Sequence, residues 1–145
     1  MRFAATISAL LAFAAIPAVY ASTVSADSWY DDGAQSIFQT SCGDGSNGLN
    51  TKYGWLTLGA IPRFPYIGAH ISIAGWNSPN CGTCWQLTYK GHSIYYLAVD
   101  HPVGGFRDAI ISQAAFNDLT SGEFGGGIGP VDVSAIQVFE SNCGL

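Results

Sequence analysis

Four cysteines fall in a chain of 145 residues, two of them as Cys81-Gly-Thr-Cys84 inside the stretch AGWNSPNCGTCWQLTY, residues 74–89. What such a chain can fold into depends on whether those thiols stay reduced, and the first residues decide that. Met1-Arg2-Phe3 leads into the uncharged run AATISALLAFAAIPAVYA, which closes on Val19-Tyr20-Ala21. One positive charge, an apolar run and small residues before a cleavage position are the marks of a secretory signal peptide. A transmembrane anchor is the weaker alternative, because the run is barely long enough to span a bilayer and is broken by Pro17. The chain therefore divides into a signal peptide, residues 1–21, and one exported domain, residues 22–145. In an oxidising compartment disulfides are the default state of its cysteines.

The other uses of a Cys-x-x-Cys pair fit poorly. Zinc needs a second pair of ligands at close spacing, whereas His70, His92 and His101 are scattered and Cys42 and Cys143 stand alone near opposite ends. A redox pair needs a strand-to-helix junction that lowers the thiol pKa, and Cys84 instead runs straight into the strand-like WQLTY. No metal or other cofactor is expected. Joining Cys81 to Cys84 would leave Cys42 and Cys143 to bridge most of the domain. Joining Cys42 to Cys81 and Cys84 to Cys143 pins each end of the domain to its centre, and that pairing is favoured.

Charge narrows the partners. Beyond residue 21 only Lys52, Arg63, Lys90 and Arg107 oppose ten acidic residues, a net charge of −6 for residues 22–145. No basic cluster exists to follow a phosphate backbone, so nucleic acid and anionic membranes are excluded as natural partners, and uncharged polysaccharides are not. Apolar and polar residues alternate in WQLTY (85–89), SIYYLAV (93–99) and VDVSAIQVF (131–139), which predicts three strands. Lys90-Gly91-His92 reads as a three-residue hairpin turn between the first two. TVSADSWY (23–30) is a weaker strand candidate, and SQAAFNDL (112–119) is a short helix with Ser112 as its N-cap. SCGDGSNG, RFPYIGAH and GEFGGGIG read as glycine-rich loops. Short strands, one helix and long loops point to a small, mainly β barrel.

The motifs CGDGSNGL, PRFPYIGA, AGWNSPNCGTCWQLTY, AVDHPVGGF and SNC occur in an order and spacing that resembles the cerato-platanin family of small secreted fungal proteins, over essentially all of residues 22–145. The resemblance implies a mainly β fold with short helices: a six-stranded double-psi β-barrel with two disulfides, paired as above and related to the first domain of expansins. It implies a secreted or cell-wall protein that binds chitin-type N-acetylglucosamine oligomers without established hydrolysis, and that plants perceive as an elicitor of defence, through a host receptor. A monomer is expected. The chain departs from the family pattern at Tyr66 and Ala69, commonly Asn and Gly, and in RDAIISQAAF after Phe106, which is longer than usual and lies beside the presumed groove.

A glycosidase needs two carboxylates about 5–9.5 Å apart across the sugar bond. Asp100 is the obvious first; the resemblance places a comparable Asp in the groove of expansins and endoglucanases, and at the end of SIYYLAV it is read as a surface residue without core packing. No second carboxylate occupies a matching position. Asp44 is explained by an Asx-turn and Asp108 by capping the helix. A Ser-His-Asp hydrolase is weaker still, since there is no G-x-S-x-G elbow and Asp100-His101 are adjacent. No residue is assigned as catalytic. The residues expected to contact glycan are Asp100, His101, Gly104, Gly105, Phe106, Tyr53, Asn77 and Ser78. Among the aromatics that could stack on a sugar, Trp85 and Trp76 are assigned to the core, while Tyr53 and Phe106 are expected to be exposed. Two competing functions remain: an expansin-like wall-loosening or weakly glycan-cleaving protein, and a surface-active coat protein, although hydrophobins use eight cysteines.

Overall fold

A computed structural model describes residues 16–105 and 107–145. Its elements are β1 (Tyr20–Ala26), α1 (Leu49–Tyr53), β2 (Ile67–His70), β3 (Cys84–Tyr89), β4 (His92–Asp100), β5 (Ala109–Ile111), α2 (Gln113–Leu119) and β6 (Val131–Val138). Short 3-10 turns at Ser28–Asp31, Ile37–Gln39, Leu58–Ala60 and Glu140–Cys143 punctuate the connections. The strands close into one six-stranded barrel in the order β1-β5-β2-β4-β3-β6. Pairs β1/β5 and β2/β4 are parallel, and the other neighbours are antiparallel. This is the double-psi barrel that the resemblance implied.

Side-chain alternation decides which face of each strand fills the barrel. Trp85 pairs with Tyr96 and Leu87 with Ile94 across β3 and β4, and Leu87 pairs with Ala135 of β6. All of these are buried, as are Val24, Ala109 and Ile111 on β1 and β5. The outward residues Leu97 and Val99 of β4 are buried too. The long segment between β1 and β2 contributes Ile37, Leu49, Leu58 and Ile61 to the same core, so β4 is covered on both sides.

Three of the strands stand where their alternation placed them. The hairpin between β3 and β4 is tighter than expected: Tyr89 pairs with His92, leaving a two-residue turn of Lys90 and Gly91, both at positive φ, 46° and 84°. That is the geometry whose twist matches the flanking strands. TVSADSWY is strand only to Ala26; Asp27 then caps a 3-10 turn by accepting the Trp29 N–H. RFPYIGAH is a loop only in its first half, because Ile67–His70 forms β2. The segment after residue 106 supplies β5, so its sequence belongs partly to the barrel wall.

α2 begins as expected, with the Ser112 hydroxyl accepting the Ala115 N–H. The anionic cap is not Asp108. Asp31, more than 80 residues earlier in sequence, accepts the N–H groups of Gln113 at 2.7 Å and Ala114 at 3.0 Å. Asp108 instead accepts the Thr23 N–H at 2.8 Å and its hydroxyl at 3.3 Å, tying β5 to β1.

The cysteines pair as Cys42–Cys81 and Cys84–Cys143, closing sequence separations of 39 and 59 residues. By chain entropy each bridge restricts the unfolded ensemble by about 4 kcal/mol, against a total stability on the order of 5–15 kcal/mol for a domain. Reduction is therefore expected to lower the melting temperature by about 30 °C, measured by circular dichroism with and without a phosphine reductant. A melting temperature that stays within a few degrees would overturn the entropic account.

Candidate functional site

The turn that follows β4 carries Pro102 to Gly105 past the end of the barrel. It frames a cavity of about 430 Å³ lined by Ile71, His101, Pro102, Val103, Gly104, Gly105, Arg107 and Asp108. Gly104 and Gly105 hold positive φ, 110° and 69°, with open space where a side chain would project. A second cavity of about 360 Å³ shares Ile71 and Asp108 with the first and continues into the barrel mouth, where His70, Ser72, Asn80, Trp85 and Gln137 line it. The two adjoin at Ile71 and Asp108 and are together called the groove. A third hollow is walled partly by Pro17, Ala18 and Tyr20, which fall in the expected signal peptide.

Asp100 does not line the groove. Its Oδ1 accepts the N–H groups of Ser41 and His101, each at 2.8 Å, and its Oδ2 accepts the Tyr30 hydroxyl at 3.1 Å. Burial, and the Asp100 carboxylate beside it, push the Tyr30 hydroxyl far above the ordinary tyrosine range. The surface residue without packing is thus a hub joining three separate segments. His101 lines the groove, and its Nδ1 donates to the Ile73 carbonyl, which fixes the tautomer with the proton on Nδ1.

Asn77 and Ser78 lie outside both cavities and serve the neighbouring loop. Asn77, at φ 59°, accepts the Asn47 N–H through Oδ1 and donates its own N–H to Ser41. Ser78 is buried and accepts the Asn80 N–H. Asn77 therefore joins Asp100 only through Ser41. Tyr53 is exposed as expected but stacks on Trp55 at 4.4 Å and lines neither cavity. Phe106 lies outside the described residues.

The assignment of Trp76 to the core is corrected: it is 67% exposed, and its indole N–H donates to the Asp44 carboxylate. That contact, rather than an Asx-turn, is what Asp44 makes. The flanking Gly75 and Asn77 carry the backbone outward at positive φ, so the ring lies on the surface.

Sequence reasoning passed over His70. It ends β2, is 4% exposed, and stacks on Trp85 with ring centroids 3.7 Å apart. The Ser72 N–H donates to its Nδ1 at 3.1 Å, so the ring proton sits on Nε2 and the imidazole is neutral. Burial pushes its pKa down to about 4, opposed only weakly by Asp108. The one hint in sequence was a polar residue closing the apolar run IGAH.

Two stability experiments follow. Asp100→Ala strips the acceptor from two backbone N–H groups and a buried hydroxyl, and is expected to cost about 2–4 kcal/mol. Asp100→Asn keeps an acceptor oxygen and is expected to cost about 1 kcal/mol or less; equal losses in denaturant melts would contradict the hub assignment. For His70 the folded pKa lies below the unfolded 6.5, so the unfolded chain binds the extra proton and stability falls as pH drops from about 6.5 to about 4. The loss attributable to His70 is up to about 3 kcal/mol. His70→Phe should lose less stability than wild type across that window, as urea melts at pH 7 and pH 4.5 would record.

Comparison with known proteins follows the same outline. A family model described as Cerato-platanin matches residues 22–145. The heat-stable 19 kDa antigen of Coccidioides immitis (strain RS) is 37% identical over 131 residues, 90% of this chain and 86% of that protein. Cerato-platanin of Ceratocystis fimbriata f. sp. platani is 39% identical over 109 residues, 74% of this chain and 76% of that protein. Among solved structures, cerato-platanin 3 from M. perniciosa superposes with a TM-score of 0.77 at 37% identity, covering 87% of this chain and all of that one. The solution structure of the fungal elicitor cerato-platanin gives a TM-score of 0.70 at 37% identity, covering 83% and 95%.

Proposed function

This chain belongs to the cerato-platanin family, and from that premise we propose that it is a secreted protein whose groove binds neutral N-acetylglucosamine oligomers of the cell wall without cleaving them. The carrying observation is the groove's inventory of carboxylates. Asp108 lines it, while both oxygens of Asp100 are held by Ser41, His101 and Tyr30 away from it. A pair of carboxylates facing each other across a bound sugar bond is what hydrolysis requires, and the described lining offers one. Asp100 contributes to binding by fixing His101 and the start of the glycine turn.

The rest of the groove suits a neutral polar ligand. It mixes apolar surface (Ile71, Pro102, Val103) with a few fixed hydrogen-bonding groups (His101, Arg107, Asp108), the combination by which protein sites hold small polar ligands. The net charge of −6 over residues 22–145 gives no attraction to anionic ligands and no penalty for uncharged ones. Export through residues 1–21 and recognition by a plant receptor complete the proposal. The second is supported by the description of one structural relative as a fungal elicitor.

Titration of the ¹⁵N-labelled protein with N-acetylglucosamine oligomers of three to six units tests this. Saturable shifts are expected at Ile71, His101, Gly104, Gly105, Arg107 and Asp108, with Tyr53 unmoved and with little dependence on salt. Shifts confined to Tyr53 and Trp55 would relocate the site. Release of reducing ends from chitin or cellulose by the wild-type protein would replace the binding reading with an enzymatic, expansin- or glucanase-like one.

A further inference from the structure

The barrel-mouth end of the groove has a chemistry that the glycine-turn end lacks. His70 is almost wholly buried, yet its Nε2–H has no partner among the described residues. Nε2 itself is not sealed off: the buried side-chain atoms without a partner among the described residues are Ser25 Oγ and Tyr96 Oη, so this nitrogen stays accessible in the cavity that His70 lines, with its proton free to donate. Two acceptors in the same cavity are also uncommitted within the described residues. Asp108 binds Thr23 only through Oδ2, which leaves Oδ1; Asn80 donates to the Ser72 carbonyl through Nδ2, which leaves its Oδ1. Ile71 and Trp85 supply apolar wall beside them.

One oriented donor, uncommitted acceptors and an apolar wall in a single small cavity complement a secondary amide that ends in a methyl group. Resting on the reading of the groove as a glycan site, we propose that the cavity around His70 is an acetamido pocket and that His70 is a specificity-determining residue. The carbonyl of an N-acetyl group accepts from His70 Nε2, its N–H donates to Asp108 Oδ1 or Asn80 Oδ1, and its methyl lies against Ile71 and Trp85. The stack on Trp85 and the hydrogen bond from Ser72 hold the imidazole in the one orientation and tautomer that presents a donor. A glucose ring places a hydroxyl at the same position. That hydroxyl takes the place of the amide N–H against Asp108 or Asn80, but it offers no carbonyl to His70 Nε2 and leaves the apolar wall unfilled, and a difference of one small apolar group is worth about tenfold or more in discrimination. Tyr20 and Ala21, which fall in the expected signal peptide, also line this cavity, whereas His70, Asn80, Trp85 and Asp108 lie in the expected exported domain.

The test compares N,N′,N″-triacetylchitotriose with cellotriose by calorimetry on the secreted protein, wild type and His70→Phe, the variant keeping an aromatic ring against Trp85 without the Nε2 donor. Wild type is expected to prefer the acetylated trimer by at least tenfold. His70→Phe is expected to bind that trimer about tenfold more weakly and cellotriose unchanged. The His70 Nε2 resonance of the wild type should shift with the acetylated trimer and not with cellotriose, a readout that needs no variant to fold. Equal affinity of wild type for the two trimers overturns the pocket while leaving the groove a glycan site. So does an unmoved His70 signal, or discrimination retained in a folded His70→Phe. Failure to bind either trimer removes the glycan reading itself.

Discussion

Closure of the sheet is the constraint on which the rest of this structure depends. The strands are three to nine residues long, and β5 has only three, Ala109–Ile111. Strands this short are not stable as isolated hairpins. Each becomes stable by pairing on both sides, which also leaves no edge to recruit another chain. β5 pairs with β1 through Val24, Ser25 and Ala26, and with β2 through Gly68, Ala69 and His70. The approach of β2 to β5 is so close that a Cβ on residue 68 would fall 2.2 Å from the Ile110 carbonyl oxygen. Glycine at this one position lets the wall close, and closure brings His70 and Asp108 to the same cavity.

Short strands leave long connections, and these are fastened by carboxylates used in an unusual way. Acid–base contacts are few: among the described residues they are the Lys90–Glu123 ion pair and the His92–Asp118 contact, both on the surface. Asp31, Asp100 and Asp108 instead accept main-chain N–H groups 82, 59 and 85 residues away in sequence. A charge-assisted hydrogen bond to backbone is stronger than a neutral one and holds a loop without needing a cation. In a chain with four basic residues beyond residue 21, this is the available means of fixing loop geometry. It also turns Asp100 away from the groove.

Much of the fold was legible in the residues themselves. Alternation over 85–89, 93–99 and 131–139 survives in β3, β4 and β6 because those strands are long enough to show a period of two. β2 and β5 were not separately legible: four residues all buried, and three residues in all, give no period to count. The disulfide partners were favoured because that pairing pins each end of the domain to its centre, and the family resemblance implied the same pairing. The surface position of Trp76 did not follow. Aromatic content argues for burial on average, and what draws this indole out is a hydrogen bond to Asp44, 32 residues away in sequence.

The site divides along the same line. Residues next to one another in sequence were assigned together, and His101, Gly104 and Gly105 stand together on one turn lining the first cavity. Asp108 was read from its nearest helix, and its partner turned out to be Thr23; His70 was set aside as one scattered histidine among three. Hydrophobic period, cysteine spacing and turn chemistry are local or entropic properties of the chain, and they pointed to a cross-linked, mainly β barrel. Which side chains share the groove, which carboxylates are consumed by distant N–H groups and which ring nitrogen faces the cavity without a partner were decided only in the tertiary structure. Those depend on register and closure, which bring together residues that no local pattern relates.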